Sequence, residues 1–302
     1  MPRVLLVSNS FAGSVSHRTR EVIVKALAAD FDLQVAETTS RDHASELARS
    51  AVAEGADAVL AFGGDGTINE VAQGLVGTDV ALGILPGGST NVMARALGVP
   101  RDPVEATAFV AARLRSNTVR RINVGRFQDR YFLFSAGMGL DAEVVKRVEA
   151  DPEGKRKKGE WLFAANAVKA GLTQYRIRDP EITLEVEGAQ PEKVVLTICC
   201  NGRPFTYFGR FPVDAAPLAQ LDGSLDFVAF KRLRGIGVPR LVWSLFVSRS
   251  HPYWRNVVYH HGVTKGRITA EKALPAQVDG DYIGERDYAE IHLVPSSLSL
   301  LI

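Results

Sequence analysis

A glycine-rich turn at residues 63–67 has the residue types that hold phosphate. It reads GGDGT, directly after an apolar run at residues 58–62 and before a helical pattern at residues 67–76. Free backbone N–H groups and the positive end of a helix dipole favour an anion at such a position. The turn is neither a Walker loop nor a GxGxxG fingerprint. A capped turn is the alternative, because Thr67 and Glu70 have capping-box spacing, but a cap does not account for three glycines.

Two more glycine-bearing turns follow apolar runs in the same half of the chain. They read NSFAG at residues 9–13 and PGGSTN at residues 86–91. Ligands of an open parallel sheet collect at the carboxyl ends of the strands, where the strand order reverses. Three such loops together predict a nucleotide-binding cleft, although each one alone is as often an ordinary turn.

The elements that position these turns alternate between short apolar runs and helical patterns up to about residue 120. This alternation predicts a doubly wound α/β domain with a parallel sheet. The expected strands are residues 4–7, 33–37, 58–62 and 81–85. The expected helices are residues 15–29, 44–54, 67–76, 90–96 and 103–115.

The second half of the chain has the pattern of a mainly antiparallel β domain, a sandwich or a barrel. Its expected strands are residues 130–136, 181–186, 194–200, 224–230, 266–270 and 290–294. Helical spacing occurs at residues 236–248, whose apolar face we expect in the core rather than at a membrane. The predicted domains are residues 1–122 and 123–295, with the final segment 296–302 returning to the first.

Composition narrows the class of protein. A chain of 302 residues with 46% hydrophobic content has room for two domains. A net charge of +2 does not favour nucleic acid as a partner. The start of the chain does not resemble a signal peptide and no apolar run reaches membrane-spanning length, so we expect a cytoplasmic protein. Cys199 and Cys200 are adjacent, which predicts two reduced core residues, and no transition metal is expected.

Five motifs give the chain a family resemblance. They are GGDGTINEVAQGL (63–75), LPGGSTNVMARALG (85–98), YFLFSAGMGLDAEVV (131–145), NGRPFTYFGRFPVDAAPLAQLDGSLD (201–226) and QVDGDYIGE (277–285). In order and spacing they resemble the diacylglycerol kinase catalytic domain, whose family includes soluble bacterial diacylglycerol kinases and the sphingosine and ceramide kinases. The resemblance implies a nucleotide domain like that of NAD kinases and phosphofructokinases, followed by a β-sandwich domain, with the active site in the cleft between them.

The resemblance also implies the residues of the site. The residues expected to contact ATP are Asn9, Ser10, Phe11, Ala12, Gly13, Thr38, Gly64, Asp65, Gly66, Thr67, Ile68, Asn69, Glu70 and Thr90. A structural Mg²⁺ is expected on Asp222 and the carbonyls of Ala219 and Ser224, although LDG (221–223) is by spacing alone an ordinary turn. Asp65 is expected to organise the catalytic Mg²⁺, directly or through water.

Two residues depart from the family pattern. The catalytic base is expected in the sequence DGD (279–281), where Asp281 replaces the usual glutamate and is one methylene shorter. The alternative for these residues is a plain hairpin tip, since Asp-Gly is a strong hairpin signal. Asn123 stands where diacylglycerol kinases often have an aspartate of the magnesium water network.

The expected function is therefore phosphorylation of a lipid hydroxyl by ATP with Mg²⁺, most simply of diacylglycerol to phosphatidic acid in phospholipid biosynthesis. The alternatives are a sphingoid or other lipid alcohol, an NAD kinase, and a catalytically silent nucleotide-binding regulator. A lipid substrate implies peripheral, transient contact with the inner membrane surface. The basic run 155–158, beside residues 161–163, is the candidate contact, or else an exposed charged loop. A homodimer is possible.

Overall fold

The chain forms two compact units. The computed structural model describes residues 1–9, 17–151, 181–232 and 237–302. Unit 1 is Met1–Asn123 with Pro295–Ile302, and unit 2 is Val124–Val294. These limits lie within one residue of the boundaries expected at 122 and 296. The candidate residues 10–13, 155–158 and 161–163, and the start of the 236–248 pattern, lie outside the described residues.

Unit 1 is built around a parallel sheet. Its strands are β1 (Arg3–Ser8), β2 (Asp32–Glu37), β3 (Ala58–Gly63), β4 (Ala81–Pro86) and the carboxyl end of β16 (Asp281–Leu300). The order is β16-β4-β3-β1-β2, and every neighbouring pair is parallel. Strands β3 and β4 are buried at every residue, as is typical of parallel strands that are covered on both faces.

Five helices accompany this sheet in the part of unit 1 that the structure describes. They are α1 (His17–Ala28), α2 (His43–Ala53), α3 (Asp65–Leu75), α4 (Val92–Ala96) and α5 (Pro103–Arg115). Along the chain, β2 is added on one side of β1 and β3 on the other, so the strand order reverses at β1. The gap between β1 and β3 is therefore the switch point at which open α/β sheets bind ligands.

Unit 2 is a mostly antiparallel β structure. Its strands are β5 (Arg120–Phe127, which begins in unit 1), β6 (Arg130–Phe132), β7 (Ser135–Met138), β8 (Ile182–Val186), β9 (Glu192–Val194), β10 (Leu196–Cys200), β11 (Thr206–Phe208), β12 (Phe211–Val213), β13 (Leu225–Phe230), β14 (Val257–Val263), β15 (Lys265–Val278) and most of β16. One series runs β14-β13-β10-β7-β15-β16. The fold class expected from the sequence is confirmed for both units.

Strand β15 belongs to two sheet layers of unit 2. Its first half pairs with β8, and its last residues pair with β7. Between the layers, a Cβ on Gly266 would lie 2.4 Å from Cζ of Phe227. The missing side chain on β15 therefore makes room for an aromatic ring from β13, which fills the core between the two layers.

The two cysteines mark the two faces of strand β10. Cys199 belongs to a core with Phe227 and Ala229, and Cys200 belongs to another with Val228 and Phe230. Both thiols are free and buried, and burial raises the pKa of each thiol. The prediction that both are core residues is confirmed, because alternate strand residues point to opposite faces.

Among the described residues of unit 2, the helices are α6 (Leu140–Glu149) and α7 (Val238–Trp243). Helix α7 continues as a π-helical turn, Ser244–Ser248, before a 3₁₀ turn at His251–Tyr253. Of the apolar residues in this region, Leu241 and Leu245 pack on the core, while Val242, Trp243 and Val247 are exposed. The expected apolar face consists of residues 238, 241, 242, 245 and 246, so the expectation is confirmed for Leu241 and Leu245 and wrong for Val242. Trp243 and Val247 lie outside that face. Across residues 1–9, 17–151, 181–232 and 237–302, no helix is long and apolar enough to cross a membrane.

Candidate functional site

The carboxyl ends of β1, β3 and β4 meet at the switch point of unit 1. The backbone N–H of Asn9, after β1, donates to the carbonyl of Phe62 at 3.1 Å, and its Nδ2 donates to Thr67 Oγ1 at 3.3 Å. Gly87 N, after β4, donates to Gly63 O at 2.8 Å. The structure thus brings all three turns together where they are described.

Helix α3 begins at Asp65, and its N-cap residue, Gly64, has no side chain that could bond to the first-turn amides. The helix start expected at Thr67 is therefore wrong by two residues. The expected capping box between Thr67 and Glu70 is not formed. Thr67 lies inside the first turn, and Glu70 Oε2 instead accepts a hydrogen bond of 3.2 Å from Ala44 N at the start of α2. The N-cap position of α3 therefore contributes no capping side chain, and the N-terminus of a helix favours a bound anion.

The positions of the turns are glycine for different physical reasons. A Cβ on Gly63 would lie 2.6 Å from Thr67 Oγ1, and one on Gly88 would lie 2.7 Å from Cα of Gly64. These two glycines are required by packing. A Cβ on Gly64 would make only an ordinary contact of 3.6 Å with Gly88 Cα, and its backbone is extended, which any residue adopts. Neither packing nor backbone conformation explains Gly64, so its missing side chain leaves space at the start of α3.

Asp65 joins the second and third turns. Its carboxylate accepts hydrogen bonds from Val92 N at 3.0 Å and Met93 N at 3.1 Å, the first amides of α4. Burial raises the pKa of Asp65, and these two hydrogen bonds lower it. Its established contacts are those of a cap on α4, so any part in binding Mg²⁺ is additional to this structural role.

The remaining residues expected to contact ATP differ in their burial and in the hydrogen bonds that they make within the protein. Thr38 follows β2 at the same edge of the sheet and is buried. Its backbone N–H donates a hydrogen bond of 3.0 Å to Ser8 O. Ile68 is fully buried and its N–H donates to Gly64 O at 3.1 Å, so we assign it to the core. Asn69 is buried and accepts from Gln73 Nε2 at 3.0 Å. Gly66 and Thr90 are both partly exposed.

One buried polar atom lies at this edge without a protein partner. The side chain of Ser8 ends β1 and is almost wholly buried, yet its Oγ has no hydrogen-bond partner among the described residues. Buried hydroxyls normally find a partner. No sequence pattern distinguishes this serine, and the expected site residue at this strand end is its neighbour Asn9.

In unit 2, the residues DGD form the tip of the β15–β16 hairpin. Asp279 and Gly280 have φ values of 49° and 84°, and Val278 pairs with Asp281 across the turn. Two central residues with positive φ are the feature of a type I′ hairpin. The hairpin-tip interpretation is therefore correct for the backbone, and it leaves the role of the Asp281 side chain to be decided separately.

Asp279 has a structural role that the sequence did not reveal. Its carboxylate accepts three backbone hydrogen bonds, from Leu133 N at 2.7 Å, Phe134 N at 2.8 Å and Ser135 N at 2.9 Å. Charge-assisted bonds of this kind are roughly twice as strong as neutral ones. The first acid of the motif thus anchors the turn, while Asp281, at the start of β16, is partly exposed.

Helix α6 holds the same hairpin from its other side. Glu149 Oε1 accepts a hydrogen bond of 2.9 Å from Tyr282 N, the residue after Asp281. Lys146 Nζ donates to Glu285 Oε1 at 2.8 Å, which raises the pKa of Lys146. These contacts fix the strand that carries Asp281.

A buried polar pair completes this support. Gln277 Nε2 donates to Asp141 Oδ2 at 3.0 Å, and Gln277 Oε1 accepts from Gly280 N at 2.9 Å. Burial raises the pKa of Asp141 to about 6, and the hydrogen bond from Gln277 opposes the rise. A Cβ on Gly137 would lie 2.3 Å from Asp141 Oδ2. The sequence AGMGLD (136–141) contains this clue, a glycine whose missing side chain makes room for the acid.

The turn proposed for a structural cation is closed by a hydrogen bond of 2.8 Å from Gly223 N to Gln220 O. Asp222 is exposed and Ala219 is buried. The described part of the chain contains no cluster of three or more His, Cys, Asp or Glu side chains, so a cation here would depend on backbone carbonyls. One carboxylate with two carbonyls is a donor set that suits a hard cation such as Mg²⁺.

Asn123 has a clear contact in unit 1. Its Oδ1 accepts a hydrogen bond of 2.8 Å from Ser296 N, where the chain returns to this unit. Farther along, Gly77 N donates to Ser297 O at 2.7 Å, and Leu300 pairs with Leu82 of β4. The side-chain oxygen of Asn123 therefore holds the segment that returns to unit 1. The carboxylate of an aspartate could accept the same hydrogen bond.

Comparison with known proteins agrees with this architecture. Residues 3–127 match the family model described as the diacylglycerol kinase catalytic domain. The diacylglycerol kinase of Mycobacterium tuberculosis is 38% identical over 272 residues, which cover 85% of this chain and 81% of that protein. A Chromohalobacter salexigens protein with the name "Probable lipid kinase YegS-like" is 37% identical over 93% of this chain and 87% of its own.

A solved structure has the same fold along almost the whole chain. The crystal structure of a diacylglycerol kinase from Bacillus anthracis superposes with a TM-score of 0.71 at 22% identity, covering 99% of this chain and 96% of that one. Since relatives well above 30% identity match most of both chains, the protein belongs to the diacylglycerol kinase catalytic domain family of lipid kinases.

Proposed function

We propose that the protein transfers the γ-phosphoryl group of ATP to a lipid hydroxyl, with diacylglycerol as acceptor and phosphatidic acid as product. The observation that carries the nucleotide half of this proposal is Gly64. It is the one turn glycine among Gly63, Gly64 and Gly88 that packing does not require, and as the N-cap of α3 it places no side chain over the first amides of that helix. Close backbone approach and unbonded amides are what a phosphate needs.

On the nucleotide side, each turn has a separate task. Gly64 and Gly66 would offer backbone N–H groups to the phosphates, and Thr67, Asn9 and Thr38 would line the edge beside them. Asp65 holds the third turn in place through Val92 and Met93. Groups that are held in place by such hydrogen bonds favour binding, because less reorganisation is needed.

On the acceptor side, Asp281 would remove the proton of the lipid hydroxyl. The hydroxyl oxygen then forms a bond to the γ-phosphorus, the bond from that phosphorus to the β,γ-bridging oxygen breaks, and ADP leaves with the electron pair. A carboxylate one methylene shorter than glutamate depends more on the exact position of its backbone. The three amides on Asp279 and the contacts of α6 supply that rigidity.

The residues for Mg²⁺ are those named from the family resemblance. Asp222 with the carbonyls of Ala219 and Ser224 would hold a structural ion, and Asp65 would take part in holding a catalytic one. A bound Mg²⁺ supplies positive charge that neutralises the phosphate oxygens during transfer. The donor chemistry of the turn 219–224 is compatible with this ion.

The test is a phosphorylation assay with γ-labelled ATP, offering diacylglycerol, a sphingoid base, a total lipid extract and NAD in separate reactions. We expect label in phosphatidic acid. Label in a sphingoid phosphate would change the acceptor and keep the reaction type. Label only in NADP would replace the proposal by an NAD kinase, and ATP binding without label in any acceptor would indicate a silent regulator.

A further inference from the structure

An exposed apolar and cationic surface of unit 2 has no role in the chemistry above. Its apolar members are Trp243 (61% exposed), Val247 (53%), Val242 (44%), Tyr253 (82%) and Phe211 (54%). Large apolar side chains that are exposed close together often mark an interaction surface. We call this set, with Arg210 and Arg240, the aromatic surface.

The members of the aromatic surface are brought together by packing. The β11–β12 hairpin packs against the π-helical turn, and the rings of Phe208 and Phe246 meet edge to face with centroids 6.3 Å apart. Asp214 N, after β12, donates to Leu245 O at 2.8 Å. Phe211 at the hairpin and Val247 on the helix therefore belong to one region of unit 2.

A buried polar framework holds this surface in shape. Ser244 Oγ accepts hydrogen bonds from Ser250 N at 2.9 Å and His251 N at 2.8 Å. His251 Nε2 lies 2.7 Å from Ala215 O, so this nitrogen carries the proton and Nδ1 accepts from Ser244 Oγ at 3.0 Å. Burial lowers the pKa of His251, which favours the neutral ring. The apolar side chains are thus exposed from a rigid scaffold.

Charge decides which partner this surface fits. Residues 227–270 contain eight Lys or Arg and no Asp or Glu. Asp214 is buried and engaged by Arg249 Nε at 2.5 Å. The guanidinium of Arg240 lies 4.4 Å from the ring of Trp254, and that of Arg210 lies 5.1 Å from the ring of Phe211. Between residues 205 and 270, Asp222 is the one exposed carboxylate. Apolar side chains flanked by several cations are complementary to an anionic lipid surface.

A second copy of the chain fits less well. A twofold dimer places the same patch against itself, so Arg210 and Arg240 would lie against a surface that carries the same cations and no carboxylate among its own members. We infer that the aromatic surface docks unit 2 onto anionic membranes, with Trp243 and Val247 entering the headgroup boundary. This inference rests on the proposed function, because a lipid acceptor must be taken from a membrane.

Vesicle flotation tests the inference directly on the full chain. The variant Trp243→Ser/Val247→Ser is compared with Val22→Ser/Val104→Ser, two exposed valines of unit 1. On vesicles of phosphatidylcholine and phosphatidylglycerol at 7:3, we expect the first variant to bind about tenfold more weakly or worse and the control to match the unchanged protein. Equal binding of all three would overturn the inference.

The charge of the surface is tested separately. Arg210→Gln and Arg240→Gln should each weaken binding to these vesicles by about fivefold and leave the weak binding to pure phosphatidylcholine unchanged. In a chain with Trp161→Phe and Trp254→Phe, brominated lipid should quench the fluorescence of Trp243. Absence of quenching on bound vesicles would place the contact elsewhere and contradict the inference.

Two readouts separate this inference from the proposed function. With short-chain diacylglycerol dispersed in detergent, the Trp243→Ser/Val247→Ser variant should keep its turnover, and with diacylglycerol in vesicles it should lose most of it. If the unchanged protein phosphorylates diacylglycerol in neither format, the proposed function is contradicted. If the variant matches the unchanged protein in both formats, only the docking surface is contradicted. A variant that changes from dimer to monomer in sedimentation, with vesicle binding intact, would assign the surface to a second copy.

Discussion

Asp65 and Val92 are joined by a hydrogen bond of 3.0 Å between Asp65 Oδ2 and Val92 N, although they are 27 residues apart in the chain. The same carboxylate accepts from Met93 N at 3.1 Å. One acid on the second glycine turn therefore caps the helix that follows the third glycine turn. The two turns therefore share one hydrogen-bonded scaffold.

The change Asp65→Asn should lower both stability and nucleotide affinity. The amide keeps one acceptor oxygen and turns its NH₂ group toward a backbone donor, which leaves polar groups unsatisfied at a cost of about 1–3 kcal/mol. Urea denaturation and ATP titration would measure the two effects. Asp57→Asn, which alters an acceptor for Arg3 N away from the turns, should leave ATP affinity unchanged. Full stability in Asp65→Asn would argue that the acid acts on ligand alone.

The changes Gly64→Ala and Gly88→Ala should affect different properties, ATP affinity in the first and stability in the second. Gly64→Ala meets no close contact, so we expect the free energy of unfolding to change by less than about 1 kcal/mol, while ATP affinity falls about tenfold or more because the backbone is screened. Gly88→Ala forces a Cβ to 2.7 Å from Gly64 Cα and should destabilise unit 1. Thermal unfolding with ATP titration gives both numbers, and unchanged ATP affinity in Gly64→Ala would contradict the phosphate site.

The two acids of the hairpin tip should separate into one that catalyses and one that supports. Asp281→Asn should lower kcat by about 10²- to 10⁴-fold with stability unchanged, whereas Asp281→Glu should retain turnover, since it restores the usual acid of the family. Asp279→Ala removes the acceptor of three backbone amides and should unfold at lower urea concentration. Steady-state kinetics beside denaturation curves distinguish the roles; an unchanged kcat in Asp281→Asn would remove it from the mechanism.

Asp141 should make stability depend on pH. Its folded pKa of about 6 lies above the ordinary 3.8, so the folded protein retains a proton that the unfolded chain releases first. The free energy of unfolding should therefore fall as pH rises from about 4 to about 6, by up to about 3 kcal/mol. Asp141→Asn should lack this fall, and Asp287→Asn, at an exposed position, should keep it. Urea curves at pH 4.5 and 7.5 measure the difference, and parallel behaviour of both variants would contradict it.

Much of the fold could be predicted because periodicity reports burial. The buried runs of β3 and β4 predicted parallel strands, and adjacent Cys199 and Cys200 predicted two faces of one strand. Helix limits were less certain: α3 begins at Asp65 because Gly64 takes the N-cap, and the capping-box spacing of Thr67 and Glu70 could not reveal that Glu70 bonds to Ala44 on another helix. Local patterns do not record long-range partners.

By itself, the sequence determined the fold class, the three glycine turns and the family, because strand and helix periods and motif order are local properties of the chain. Only the tertiary structure showed which glycine is free of packing, that Asp279 supports while Asp281 is partly exposed, and that Trp243 faces solvent. Each of these depends on atoms brought together from distant segments. The division between packing residues and available residues is a property of the folded surface, since burial is decided by what lies on the other side of each side chain.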